Sequence, residues 1–261
     1  MSRPTLAALL LLALPNWALA QGGDSPPATQ QDPQAAYDNL VKDLNKAMAE
    51  WQTAAQAAYE KAKAEGAKSL PAIAMNPPTK EFIGRAQELA AQYAGTDDAV
   101  RFLGFIVKSA SQERNAVKKA VETLASDHAK SPAIGDVIEH LGMAINFGAK
   151  KQVMSLLDEV VANHADAECK AKAMVTRGTI RLEGARNEAD RKAAEEDLRG
   201  VAKVTKDEGL LQQAKDALFE IEHLQVGCTA PEIAGVDTEG VAFKLSDYRG
   251  KVVLLDFWGF W

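Results

Sequence analysis

Tyr37, Leu40, Val41, Leu44, Met48, Trp51, Ala55, Ala58 and Tyr59 recur at steps of three and four, with Lys, Glu and Gln among the intervening positions. That spacing gives a long α-helix one apolar stripe and one solvated face, and it requires something to cover the stripe. The helix must stop before Pro71, because proline removes a backbone donor and clashes with the preceding turn. The stretch "PAIAMNPPT" therefore reads as a loop, with Thr79 placed to cap the helix that comes next.

The pattern then repeats. Helices are predicted at about 80–93, 97–109, 112–127, 134–146, 150–163, 168–183, 188–205 and 208–224. Gly95 ends one and Asp97 caps the next, Ser131-Pro132 and Gly148 separate others, and Asp166 and Asp207 stand at further starts. Connections this short bring successive helices together as antiparallel hairpins. The Ala-rich contacts of "AECKAKAMVTRGTIRLEG" favour a tetratricopeptide-like stack of hairpins, although no fixed period of about 34 residues runs through the chain.

Ahead of the first helix, Met1-Ser2-Arg3-Pro4 precedes an apolar run from Leu6 to Leu14, and Ala18-Leu19-Ala20 places small residues where a signal peptidase reads them. The run is shorter than the roughly 20 residues that span a bilayer. Residues 1–20 are therefore expected to be a signal peptide cleaved after Ala20, which implies an exported protein of the periplasm or cell envelope with no membrane span after cleavage. Residues 21–34, "QGGDSPPATQQDPQ", have no apolar period and read as a flexible linker. Cleavage removes Arg3 and no acid, moving the net charge from −6 to −7. An acidic balance without a basic block argues against nucleic acid as a partner, since that binding needs Lys and Arg to displace phosphate counterions.

At Val226 the composition changes. "VGCTAPEIAGVDTEGVAFKLSDYRG" carries Pro231, Gly235 and Gly240 with β-branched residues between them, which is the pattern of a hairpin. Strands are expected near 232–236 and 241–245, joined by a turn from Asp237 to Gly240. Lys251–Phe257 is expected to be a central strand, because an apolar run without alternation suits a strand covered on both faces.

"VGCTAPEI" followed by "GVAFKLSDYRGKVVLLDFWGFW" resembles the opening of the thioredoxin-like redoxin domain of TlpA-like and ResA-like thiol-disulfide oxidoreductases and their peroxiredoxin relatives. The resemblance covers residues 226–261 and rests on Ala230-Pro231, Leu245-Ser246-Asp247-Tyr248, Gly250-Lys251 and the Asp256-Phe257-Trp258-x-x-Trp261 spacing. It implies a mainly α chain: a helical-hairpin module at 35–224, then the first strands of an incomplete α/β thioredoxin-like domain at 226–261. In the family the next residue is the nucleophile of a Cys-x-x-Cys pair, so no catalytic residue is present in these 261 residues and the chain is expected to be inactive alone. A stop at that codon is what UGA-encoded selenocysteine would give, and equally what a nonsense mutation or an imposed boundary would give.

By resemblance, Asp256 matches a carboxylate beneath the Cys pair that accepts a proton, Trp258 packs under the site, and Trp261 flanks the nucleophile. Read without it, Asp256 makes a strand-end hydrogen bond and both Trp are core aromatics. The family's partners are protein dithiols and disulfides, and sulfur exchange needs no cofactor. A helix N-terminus at the end of the strand would lower the nucleophile's pKa through its unpaired amides.

Other chemistry finds little support. His128, His140, His164 and His223 fall in separate segments without metal-ligand spacing and read as surface residues, so no metal site is expected. No phosphate loop or nucleophile elbow occurs. Cys169 reads as a small helix-packing residue, Cys228 is not placed as a substitute nucleophile, and the two are either a pair or unrelated thiols. Beside the reductase reading stand a peroxiredoxin-type peroxidase and a non-catalytic, secreted helical module that binds a protein partner.

Overall fold

The computed structural model describes residues 31–67, 69, 71–109 and 113–259, so the signal-peptide reading of residues 1–20 and the position of Trp261 lie outside the described residues. The first helix, α1 (Pro33–Ala64), carries the predicted stripe. Proline suits its first turn, where a backbone N–H has no helical partner. Leu40 is fully buried, and the Tyr37 ring meets Phe102 and Phe105 edge-on at centroid distances of 6.0 and 6.4 Å. Farther along, Trp51 Nε1 donates to the Ile73 carbonyl at 2.7 Å. Ile73 belongs to α2 (Ala72–Met75), one turn of helix inside the stretch read as loop.

In α3 (Thr79–Gln92) Thr79 is the first helical residue and not the cap. Pro78 occupies the N-cap with φ −77°, so the fixed proline ring sets the entry and no side-chain acceptor is involved. Nearly every residue of α4 (Ala99–Ser109) is buried, as expected of a helix surrounded by others. It is followed by α5 (Arg114–Asp127).

The single helix expected at 134–146 is broken into a 3₁₀ turn (Pro132–Ile134), α6 (Gly135–Ile138) and α7 (Leu141–Asn146). Ser131 Oγ accepts from the Ala133 amide to start the turn, and at His140 the ladder tightens to three-residue bonds, from His140 N to Val137 O and from Met143 N to His140 O. Breaking the helix lets Ile134, Ile138, Leu141 and Ala144 all reach zero exposure. Gly148, at φ +78°, then turns the chain into α8 (Lys150–Asn163).

The last three helices are α9 (Ala167–Glu183), α10 (Glu188–Val204) and α11 (Glu208–His223). Asp166 and Asp207 cap as expected, accepting from Cys169 N at 2.7 Å and Leu210 N at 2.8 Å, and Asn187 does the same for α10. Packing runs α1 on α3, α3 on α4, α4 on α5, α5 on α8, α8 on α9, α9 on α10 and α10 on α11. One core extends from α1 to α9, and a smaller one lies among α9, α10 and α11 around Val175, Leu198 and Val201. Because α9 serves both, its apolar residues are spread around the helix. Gly178 lets α10 come close, since a Cβ there would sit 2.8 Å from Leu198 Cγ.

His128 and His164 are buried, contrary to the surface reading. His164 Nδ1 accepts from the Asp166 amide at 3.0 Å, which leaves Nε2 to donate to the Ser131 carbonyl at 3.1 Å and ties the end of α8 to the Ser131 turn. Among the described residues no helix is long and apolar enough to cross a membrane.

After α11 come β1 (Ala234–Val236) and β2 (Ala242–Lys244), antiparallel, with Gly235 opposite Phe243. A 3₁₀ turn (Leu245–Tyr248) comes next. The central strand expected at 251–257 is absent: beyond Lys251 the described chain has no regular structure. A strand needs a neighbour for its backbone donors and acceptors, and among the described residues β1 and β2 pair only with each other.

Candidate functional site

The segment from Pro231 to Lys251 is held by local hydrogen bonds. Asp237 closes the hairpin turn by accepting through one oxygen from Glu239 N and Val241 N at 2.9 and 2.8 Å, and Gly240 at φ +82° completes the reversal. Gly235 keeps β1 clear of the Phe243 ring, whose nearest atoms would be 3.3 Å from an added Cβ.

The Leu245-Ser246-Asp247-Tyr248 stretch is pinned back onto this hairpin. Leu245 N donates to the Ile233 carbonyl at 2.8 Å, Ser246 N to Glu232 Oε1 at 3.0 Å, and Asp247 accepts from Lys244 N at 2.8 Å. Bonds from Ser246 hold the Glu232 carboxyl below its ordinary range. Lys251 N reaches back to the Tyr248 carbonyl at 3.1 Å, its ammonium lies 5.8 Å from the Tyr248 ring centroid, and Gly250 turns between them at φ +83°. These bonds close the turn directly before Val252.

From Val252 to Trp258 the chain is mostly apolar and uncovered. Leu254 is 92 % exposed, Phe257 82 % and Trp258 74 %. Trp258 is therefore neither a core aromatic nor a packed base for a site in this structure. Asp256 is exposed and makes no hydrogen bond among the described residues, so neither the buried-carboxylate role nor the strand-end bond is formed. Both roles need layers over the segment, and this structure places none there. Trp261 lies outside the described residues.

The two sulfurs are free and far from this arrangement in role. Cys169 is buried in α9, where burial first and Asp166 second push its thiol up to about 11. Cys228 is exposed, its Sγ 3.5 Å from the Glu222 carbonyl. No group of three or more His, Cys, Asp or Glu among the described residues is placed to hold a metal.

A charged cluster that the sequence reading missed joins three helices. Arg177 of α9 grips Asp197 of α10 with two nitrogens at 2.9 and 2.5 Å and Asp158 of α8 with a third at 2.7 Å, while Arg181 reaches Asp197 at 2.7 Å. Burial works against the Arg177 charge, but the two carboxylates hold its pKa above the ordinary value. Arg177 and Arg181, one turn apart on α9, were the visible signal. Their acids lie in other helices, so only the fold brings the set together.

No family model matches the chain, and no solved structure matches it. Similarity to curated proteins is confined to a short stretch. The chain is 56 % identical over 36 residues to "Thiol-disulfide oxidoreductase ResA" of Geobacillus kaustophilus (strain HTA426), covering 14 % of this chain and 21 % of that protein. The match to the protein of that name from Geobacillus thermodenitrificans (strain NG80-2) has the same identity and extent. A third, from Bacillus anthracis, is 45 % identical over 40 residues, 15 % of this chain and 23 % of the relative. The chain thus spans about a fifth of the length of the curated relatives it matches.

Proposed function

We propose that residues 226–261 are the opening segment of a thioredoxin-like thiol-disulfide oxidoreductase domain of the TlpA/ResA type. In this reading residues 35–224 form a tetratricopeptide-like module exported with that domain, and residues 1–20 are the signal removed after Ala20. The observation that carries it is the pinned hairpin of Pro231–Lys251, which delivers a charge-poor apolar run into a place with no cover, in a chain whose short similarity is to ResA proteins. A parallel-sheet strand between helical layers is what such a run suits.

The chemistry is an exchange among sulfurs. A thiolate attacks one sulfur of a substrate disulfide and releases a substrate thiolate, giving a mixed disulfide. The second Cys, once deprotonated, attacks the enzyme's sulfur in that bond, so the enzyme dithiol ends oxidised and the substrate disulfide ends as two thiols. Asp256 is assigned the proton-accepting role beneath the pair, and Trp258 and Trp261 flank it. The 261-residue chain holds only Cys169 and Cys228, neither at two-residue spacing, so it does not perform this reaction by itself.

A chimaera tests the reading. The portion of Geobacillus kaustophilus ResA beyond its matched stretch is joined after Trp261, and reduction of insulin is measured against residues 21–261 alone. The chimaera is expected to be soluble and active, losing turnover when either Cys of its Cys-x-x-Cys is replaced by Ser, while residues 21–261 show none. An insoluble or inactive chimaera, beside an active ResA control, overturns it.

A further inference from the structure

The turn before Val252 is held by bonds of two kinds. Leu245 N donates to the Ile233 carbonyl and Lys251 N to the Tyr248 carbonyl, and no change of side chain removes either acceptor. Asp237 and Asp247 accept from amides no more than four residues away. Glu232 is different. Its Oε1 accepts from Ser246 N at 3.0 Å across 14 residues of sequence, and between residues 231 and 251 no other side-chain bond among the described residues spans more than four. Ser246 N lies in the first turn of the 3₁₀ helix Leu245–Tyr248, where an amide has no acceptor inside the helix. The Ser246 hydroxyl adds to the amide in favouring the charged carboxylate. Two adjacent residues before β1, Glu232 and Ile233, thus grip two adjacent residues of the turn, Ser246 and Leu245. A pair of neighbouring bonds fixes the turn in rotation as well as in place, where one bond would let it swing.

We propose that Glu232 is a positioning residue for the redox cysteine pair: by fixing the rotation of the Leu245–Tyr248 turn it sets the direction in which the chain leaves Lys251, and so where residues 252–257 and the nucleophile after them stand. The inference rests on the oxidoreductase reading above. A slip of one residue in a strand turns every side chain to the opposite face, and a displacement of about 1 Å at a reacting group costs on the order of 100-fold in rate. Glu232 touches neither substrate nor sulfur; it acts through the turn.

Two measurements test it. In residues 21–261, hydrogen exchange at Leu245 and Ser246 is compared for the native chain, Glu232→Leu and Glu232→Gln. Leucine removes the acceptor and should speed exchange at Ser246 by about tenfold, the worth of one hydrogen bond to a charged group, while glutamine keeps Oε1 and should stay within about twofold. The same substitutions are then placed in the chimaera with Geobacillus kaustophilus ResA, and insulin reduction and the pH profile of active-site alkylation by iodoacetamide are measured. Glu232→Leu should lower kcat by about tenfold or more with KM unchanged. It should also raise the pH midpoint of alkylation, because a displaced thiolate loses the stabilisation of its helix N-terminus. Glu232→Gln should restore both. Where Glu232→Leu does not fold, Glu232→Asp, one methylene too short to reach the Ser246 amide, gives the same comparison. A lower unfolding temperature with kcat and the pH midpoint unmoved, unchanged exchange at Ser246, or no rescue by Glu232→Gln overturns the proposal. An inactive native chimaera beside an active ResA control overturns the oxidoreductase reading and this inference with it, whereas an active chimaera indifferent to Glu232→Leu overturns this inference alone.

Discussion

Cys169 owes its chemistry to position. Burial and the neighbouring Asp166 carboxylate raise its thiol to about 11, so at pH 8 only about one molecule in a thousand carries the reactive thiolate. Cys228 sits on the surface. A thiol-specific disulfide reagent at pH 8 should therefore titrate one thiol in the native protein within minutes and the second only in denaturant; two fast thiols would contradict the burial. Asp197 is the other residue whose setting decides its effect. It is 5 % exposed and neutralises two arginines, and removing one partner of a buried pair strands the others, at a cost of about 3 to 5 kcal/mol. Asp197→Ala is expected to lose that much in urea unfolding. Arg181→Ala should lose only about 1 kcal/mol, because its side chain is 29 % exposed and Arg177 keeps Asp197 paired. Equal losses in the two variants would refute the assignment of Asp197 as the hub.

Helices were legible wherever period and punctuation agreed. The ends of α8, α9, α10 and α11 fall within a residue or so of those read from the sequence, because Asp166 and Asp207 cap and Gly148 turns as their chemistry dictates. The reading failed where periodicity continued through a break. Residues 134–146 keep an apolar pattern across the 3₁₀ turn and the tightened ladder at His140, and only the geometry of the surrounding core requires the kink. It failed again at 251–257, since an apolar run specifies a strand only when other strands are there to pair with it. That contrast gives a prediction for the two parts. A chain ending at Leu224 keeps both cores and should unfold at the same temperature as the chain ending at Trp261, while remaining monomeric at concentrations where the longer chain aggregates through its exposed 252–258 run. Equal solubility of the two chains, or a lower unfolding temperature for the shorter, would count against this division.

Across the molecule, sequence and structure divide the work unequally. The helical part is specified twice, by pattern and by packing, and the residues of its two cores, among the described residues, all precede Leu224. The bond from Ser246 to Glu232 was invisible in the sequence, because residues 14 apart meet only when the hairpin folds. The C-terminal part was legible as a motif but not as a strand: the hairpin and the Leu245–Tyr248 turn are in place, while Asp256 and Trp258 lie exposed in a stretch without regular structure. The proposal that residues 226–261 open a thiol-disulfide oxidoreductase domain bears on what the gene encodes next. Sequencing the genomic DNA across the codon for Trp261 tests it most directly. The expected result is a Cys codon immediately afterwards, then two codons, a second Cys codon, and an open frame of roughly 100 further residues with domain-like composition. An open frame that continues without that Cys pair would contradict it.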